Sequence, residues 1–390
     1  MFSNEPSLRI LHVLRSPVGG LFRHVLDLAR EQSARGHAVG MIVDSLTGGD
    51  AAKREIAQIA PLLGLGVARL PMRRKPHPSD LRALAHVRRE IARLKPDIVH
   101  GHGSKGGFYA RASGFLPGLG DPLRVYTPHG GSFHQQPGYR LYMAVERLVA
   151  GQTDVLSFES DFIAGEYSRG VGPTPALQWV SRNGLRPEEF TPVAAQPGAA
   201  EFLYVGELSV YKGVDTLIGA LADLHRAEHE EARLAIVGAG CELERLAAMV
   251  ERLGLNRAVA FFGALPAREA FQLGHIVVAP SRAESLPYLV MEAIAADKTV
   301  LATNVGGVAE IFGPLSDRLI PRDDAKALAR AMAAALRRDA REAAAERAQL
   351  SRHVAAHFSV EAMTDSVLAG YRAGLARKGR AQERVSGAAS

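Results

Sequence analysis

VAPSRAESLPYLVME (residues 278–292) is the stretch on which the fold reading turns. Ile276-Val277-Val278-Ala279 is an apolar run of strand length that stops at Pro280. A short polar loop containing Glu284 follows. Residues 288–295 then carry the apolar spacing of a helix whose first turns include Glu292. A strand feeding a helix through a short loop is the repeating unit of a parallel α/β sheet. Carboxylates at the carboxyl end of such a strand suit a polyol, because each accepts hydrogen bonds from neighbouring hydroxyls. Amides that open the helix suit a phosphate. The same two glutamates also fit a plainer reading, Glu292 favouring the helix dipole and Glu284 merely exposed.

The same alternation extends in both directions. Downstream, residues 300–302 read as a strand, 306–311 as a short helix and 318–320 as a strand. Residues 324–350 read as one alanine- and arginine-rich helix. Upstream, strands are expected at 202–205, 234–237 and 259–262. Helices are expected at 213–226, 241–253 and 267–272. Residues 191–200, rich in Pro, Ala and Gly, read as an interdomain linker. Before it lies a second series: strands at 8–14, 39–43, 67–70, 97–100, 123–127 and 154–158, the last closing the sheet. Helical patterns separate them. The near-continuous apolar strands are those of sheets buried on both faces.

The expected fold is α/β, with two doubly wound Rossmann-like domains facing each other across a cleft. Residues 1–190 form the first domain and 201–358 the second. Residues 359–377 form a helix returning toward the first domain, and 378–390 a disordered tail. Ligands in such sheets bind at the carboxyl ends of the strands.

Composition bounds the function. At 390 residues, 47% hydrophobic and 23% charged, the chain is an ordinary soluble globular protein of two domains. Its single cysteine, Cys241, excludes an intrachain disulfide framework and a cysteine cluster for zinc. No secretory signal or membrane-spanning run is visible, which points to the cytoplasm. Residues 1–195 hold 24 Lys+Arg against 17 Asp+Glu, a net +7, while residues 196–390 hold 23 against 24. The excess clusters between residues 69 and 95. That patch suits an anionic membrane surface or a solvated helix face; nucleic acid is disfavoured because no binding motif accompanies it.

Five stretches carry chemistry. Pro17-Val18-Gly19-Gly20 follows a strand and opens a helix, so backbone there comes close to an anion. It is not G-x-G-x-x-G, which disfavours a nicotinamide or flavin dinucleotide. Val205-Gly206-Glu207-Leu208-Ser209-Val210-Tyr211-Lys212-Gly213 places a lysine where it reaches a diphosphate. Ile236-Val237-Gly238-Ala239-Gly240 is a second close-approach loop, or a simple turn. The Glu284 to Glu292 segment is the fourth. The fifth is Tyr126-Thr127-Pro128-His129-Gly130-Gly131, a histidine on a strand rim. His100 and His102 lie at a parallel strand end, so position alone does not single out His129. No metal is expected, since the histidines lack carboxylate partners at ligand spacing.

Together these stretches resemble the retaining glycosyltransferases of family 4, also called group 1, which have the two-domain GT-B fold. The likeness runs from about Ile10 to Tyr371. It is most specific in VGELSVYKGVDTLIGAL (205–221), IVGAG (236–240) and PSRAESLPYLVMEAIAADKTVLATNVGGVAEI (280–311). PVGGLFRHVLDLA, PDIVHGHG and TPHG mark the first half.

The resemblance implies transfer of a sugar from a UDP- or GDP-sugar to a glycan or lipid-linked hydroxyl, with retention and no obligatory metal or other cofactor. It places the enzyme in surface polysaccharide or lipopolysaccharide biosynthesis, cytoplasmic or peripheral on the inner membrane face. His129, Lys212 and Glu284 would be catalytic. Lys212 would neutralise the diphosphate with the Gly19-Gly20 backbone. Glu284 and the amides of Leu286, Tyr288 and Leu289 would hold the donor sugar, and Glu292 the ribose. Gly206 and Gly238 would shape the donor loops, and Leu265 would lie near the base. Two departures stand out: Glu207 where the family commonly has arginine, leaving Arg282 or Arg15 to supply a second charge, and Pro287 where glycine is common. The alternatives are a GT-B sugar-nucleotide epimerase and a catalytically degenerate donor-binding protein.

Overall fold

Parallel strands of three to seven residues, joined by helices, form two separate sheets. The structure, a computed structural model, describes residues 6–130, 139–227 and 231–387, with side chains described as far as residue 380. The chain divides into two compact units. One comprises residues up to Gly184 together with those from Val360 onward; the other is Leu185–Ser359.

The first unit holds β1 (Arg9–Leu14), β2 (Ala38–Asp44), β3 (Gly66–Leu70), β4 (Ile98–His102), β5 (Leu123–Thr127), β6 (Val155–Phe158) and β7 (Leu177–Val180). They pair in the order β3-β2-β1-β4-β5-β6-β7. The second unit holds β8 (Ala200–Val205), β9 (Leu234–Val237), β10 (Val259–Phe261), β11 (Gly274–Ala279) and β12 (Thr299–Ala302), in the order β10-β9-β8-β11-β12. Among the described residues every pairing between these strands is parallel. Each sheet therefore reverses its winding once, between β1 and β4 and between β8 and β11. Such switch points open a crevice beyond the carboxyl ends of the two strands. Away from the edge strands β3, β7, β10 and β12 the strands are almost fully buried and largely apolar, as the sequence pattern requires of a sheet covered by helices on both faces.

Several boundaries differ from the sequence reading. β6 does not close the first sheet: the helix Asp161–Val171 and the edge strand β7 follow it. β7 is four residues long with an exposed Gln178, so it lacks the apolar run that marks its neighbours. The division between units falls after Gly184. Residues 191–200 are bound into the second unit, with Val193 N donating to Ala296 O and Gln196 N to Gln272 O (3.0 and 2.9 Å). Residues 318–320 form no strand. Gly313 at φ 51° and Pro314 keep the chain in the 3-10 segment Gly313–Arg318, leaving only a bridge between Thr303 and Ile320. The expected helix over 324–350 is two helices, Ala325–Arg337 and Ala340–His357. Asp339 starts the second by accepting hydrogen bonds from Arg341 N and Glu342 N.

The last helix, Val360–Gly387, runs ten residues beyond the expected stop at 377, into the segment read as a disordered tail; residues 388–390 lie outside the described residues. This helix belongs to the first unit. Its Val360, Met363, Val367, Leu368 and Tyr371 share one buried cluster with Leu8, Ile10, Ile98, Leu123, Val125 and Val155. Among the described residues no helix is long and apolar enough to cross a membrane.

Candidate active site

In the second unit the lysine loop leaves β8 and the acidic loop leaves β11, the two strands flanking its switch point. Lys212 Nζ lies 2.6 Å from Glu284 Oε1, with side-chain exposures of 29% and 14%. The buried Ser281 donates its hydroxyl to the same carboxylate oxygen at 2.7 Å. Both contacts fall on Oε1, so Oε2 carries no hydrogen bond among the described residues. A carboxylate so arranged keeps one oxygen for an incoming hydroxyl, beside a cation that suits a phosphate.

Backbone packing that only glycine permits holds these loops in place. A Cβ on Gly238 would sit 1.8 Å from Gly206 O, and Gly238 has φ +154°. A Cβ on Gly213, just after Lys212, would meet Pro280 O at 2.1 Å, and one on Gly306 would meet Glu284 O at 1.9 Å. Gly307 N also donates to Ser285 O at 2.7 Å. The loop after β12, to which the sequence reading gave no role, is therefore the backing of the acidic loop.

Arg282 is not the spare cation suggested for the missing arginine at Glu207. It pairs with Asp215 (2.9 Å) and Asp323 (2.5 Å) and donates to Val210 O and Thr216 Oγ1. Its backbone N bonds Tyr211 O at 2.7 Å. Arg282 is thus a brace that ties the acidic loop to the lysine loop.

The helix Tyr288–Ala295 begins directly after Pro287, an extended residue at φ −74° with no amide to donate. Leu286 is buried, while Tyr288 and Leu289 occupy the first turn half-buried. Glu292 is the fifth helical residue, and the first turn contains no acid, so dipole capping does not account for it. Leu265 is 39% exposed in the loop after β10, which Gly263 ties to the glycine turn by accepting from Gly238 N at 2.7 Å.

The first unit contributes Gly19, Gly20 and His129. Gly19 opens the helix Gly19–Ala34 at φ +65°, and a Cβ there would meet nothing within 4 Å; both glycines are exposed. His129 sits after β5 in a left-handed conformation, φ 55°, with Gly130 beside it at φ 60°. Gly131 lies outside the described residues.

Around His129 lies a cluster that sequence position alone did not reveal. Parallel register sets His12 beside His100 and Leu14 beside His102, and the two-residue spacing of His100 and His102 puts both on one sheet face. His24 arrives from the helix Gly19–Ala34. Gln32 Oε1 accepts from His12 Nε2 at 2.8 Å. In a neutral chain His12 Nδ1 then accepts from His102 Nε2 (2.9 Å), and His102 Nδ1 accepts from His129 Nε2 (3.0 Å). The tautomer of each imidazole follows from the next. This leaves Nδ1 of His129 as its acceptor atom. His24 donates from Nδ1 to Asn183 Oδ1 at 3.0 Å. His100 spans Tyr371 OH (2.7 Å) and Thr127 Oγ1 (2.8 Å).

Burial pushes His12 and His24 down to about 4, against partial compensation from Gln32 and Asn183. Burial and the neighbouring imidazoles hold His100, His102 and His129 well below the ordinary histidine range. The cluster is therefore a neutral hydrogen-bonding device at pH 7. Two triads, His12-His100-His102 and His24-His102-His129, bring ring nitrogens within 4.8 Å of one another. Hydrogen bonds already pair His102 with both His12 and His129, and no carboxylate belongs to either triad.

Two Rossmann-like sheets, each with its chemistry at a switch point, make the architecture that of a GT-B glycosyltransferase. Comparison with known proteins agrees. Residues 186–351 match the model of the group 1 glycosyl transferases, and residues 18–188 that of glycosyltransferase family 4. Over 337 residues the chain is 30% identical to glycogen synthase of Mycobacterium tuberculosis, covering 78% of this chain and 80% of that one. It is 28% identical over 331 residues to D-inositol 3-phosphate glycosyltransferase of Corynebacterium urealyticum, covering 76% of each. Among solved structures, Anabaena HepE in complex with UDP has a TM-score of 0.75 at 18% identity, over 94% of this chain and 100% of that one. The chain belongs to the group 1, family 4 glycosyltransferases.

Proposed function

We propose that this glycosyltransferase moves a sugar, with retention, from a UDP- or GDP-sugar to a hydroxyl of a glycan or lipid-linked acceptor, in the assembly of surface polysaccharide or lipopolysaccharide. It would work in the cytoplasm, peripheral on the inner membrane face where such acceptors reside. The observation that carries the donor reading is the Lys212–Glu284 pair at the switch point of the second sheet. The UDP and UDP-glucose complexes of HepE, a protein of the same fold, favour a uridine donor.

Departure of a nucleoside diphosphate builds negative charge on its phosphates, and Lys212 supplies the cation there. Glu284 accepts from a hydroxyl of the donor sugar through its open Oε2, and Glu292 takes the ribose hydroxyls. Neutral His129 accepts a sugar hydroxyl through Nδ1. None of these residues serves as a covalent nucleophile in this reading. The leaving phosphate takes the proton from the acceptor oxygen, which attacks on the face that the leaving group vacates.

The test is a thermal-shift screen of UDP, GDP and ADP on the full chain, followed by NMR of the product's anomeric centre. Binding raises the melting temperature through linkage. No stabilisation by any of the three, or an inverted product, would sink the reading. Product from the nucleotide sugar without acceptor would instead mark an epimerase.

A further inference from the structure

A cavity of about 750 Å³ lies in the first unit, beyond the carboxyl ends of β1, β2 and β3. Arg15, Arg73, Arg74 and Lys75 line it, with His77 beside them. Among the described residues none of the four cations has a carboxylate partner, and no carboxylate lines the cavity. Two acids close by are already engaged: Asp80 accepts from His77 N at 3.0 Å and from Tyr109 OH at 2.8 Å and pairs with Lys105, and Asp44 is spent inward. Asp44 is fully buried, accepting from Thr47 Oγ1 and from Met72 N, both at 2.7 Å.

Those two bonds fix the walls. One holds the loop after β2, and the other holds the backbone immediately before Arg73. Gly48, at φ +86°, packs so closely on Pro17 that a Cβ would lie 2.8 Å from Pro17 O, which joins the loop after β2 to the loop after β1. Arg15 is pushed below its ordinary range by burial and by Arg74, with Asp44 opposing. The fold thus holds four cations around one cavity, with the buried Asp44 offsetting part of the charge on Arg15. Other members of the same basic stretch are engaged: Arg69 donates to Asp44 O, Arg88 to Leu116 O and Pro117 O, and Arg93 pairs with Glu90.

We propose that this cavity is an anion subsite for the acceptor, and that the acceptor carries a phosphate or diphosphate. Two further observations fit. Arginine forks bind phosphate oxygens in pairs, and 750 Å³ is the size of a whole small-molecule site, not of a lone ion. Val18 and Leu46, 50% and 57% exposed, give an apolar edge to the group that bears the phosphate. The word acceptor rests on the donor diphosphate occupying the Lys212 loop of the other unit; the anion site itself does not.

The probe is inorganic pyrophosphate, titrated calorimetrically at low salt into full-length Lys212→Ala protein. Binding should persist there and weaken at least tenfold when Arg74→Gln and Lys75→Gln are added, changes confined to exposed side chains. The same two changes in an otherwise unaltered chain should leave nucleoside diphosphate binding intact. Pyrophosphate binding that vanishes with Lys212→Ala alone, or that ignores the two glutamines, overturns the proposal while leaving the donor reading standing. Loss of nucleoside diphosphate binding in the unaltered chain, with the pyrophosphate site present, sinks the donor reading and spares the cavity. Flotation with phosphatidylglycerol vesicles that the glutamines abolish supports a lipid-borne phosphate. Pyrophosphate binding without flotation supports a soluble phosphorylated acceptor.

Discussion

Lys212 is held by the Glu284 carboxylate, and on the proposed donor reading it also meets a phosphate. At 2.6 Å from Glu284, and with both groups partly exposed, the pair contributes little to stability. Its value lies in keeping the lysine extended over the switch point before a donor arrives. On that reading Lys212→Ala removes charge where the leaving group develops it. Glu292→Ala removes two acceptor atoms from the proposed ribose contact. Each change should lower kcat/KM by about 10² or more, the scale of losing one electrostatic or positioning contact. Steady-state assays beside melting curves would check this. Near wild-type rates in both variants, with unchanged melting, would show that the donor binds elsewhere. Pro287 has no amide to donate, so any donor-sugar contact from this segment's backbone would come from either side of it.

Elements were legible where local chemistry set them. The glycine loops after β8 and β9 and the acidic loop after β11 could be read from strand, turn and helix patterns, because glycine and the change of period mark them directly. What escaped the sequence reading was assembled by long-range register. The histidine cluster draws on β1, β4, the loop after β5 and one helix, across more than 100 residues, and spacing marks only His100 and His102. The ion pairs that fix Arg282 likewise reach from residue 215 to residue 323. β7 was missed because a short, half-exposed edge strand carries no apolar signal.

The cluster has a consequence for pH. His12 and His24 titrate near 4 in the folded chain and near 6.5 when unfolded. Between those values the unfolded chain binds more protons. The stability is therefore fully present above about pH 6.5 and is lost as the pH falls toward 4, at about 3 kcal/mol for each residue by the lower limit. The only tryptophan, Trp179, lies in β7 of the first unit and reports its unfolding. Urea titrations followed by its fluorescence should give a midpoint that drops steadily from pH 7 to pH 5. A flat midpoint over that interval would mean that the histidines are not buried neutral.

At the scale of the whole molecule, the chain closes its first unit with its last helix. Two units with separate cores predict two separable stabilities. Ending the chain after Ser359 tests this. It removes Val360, Met363, Val367, Leu368 and Tyr371 from the core of the first unit. At about 1.5–3 kcal/mol for each buried side chain, the loss equals or exceeds the whole stability of a typical domain. It also removes Ser366, whose hydroxyl accepts the indole N–H of Trp179 at 3.1 Å. The second unit, Leu185–Ser359, loses none of its own residues. The shortened chain should therefore show a red-shifted Trp179 emission with no cooperative transition, while limited proteolysis leaves a resistant fragment that begins near residue 185. A native Trp179 spectrum in that chain would show that the first unit stands without its terminal helix, and that the shared cluster is packing added to a core already sufficient.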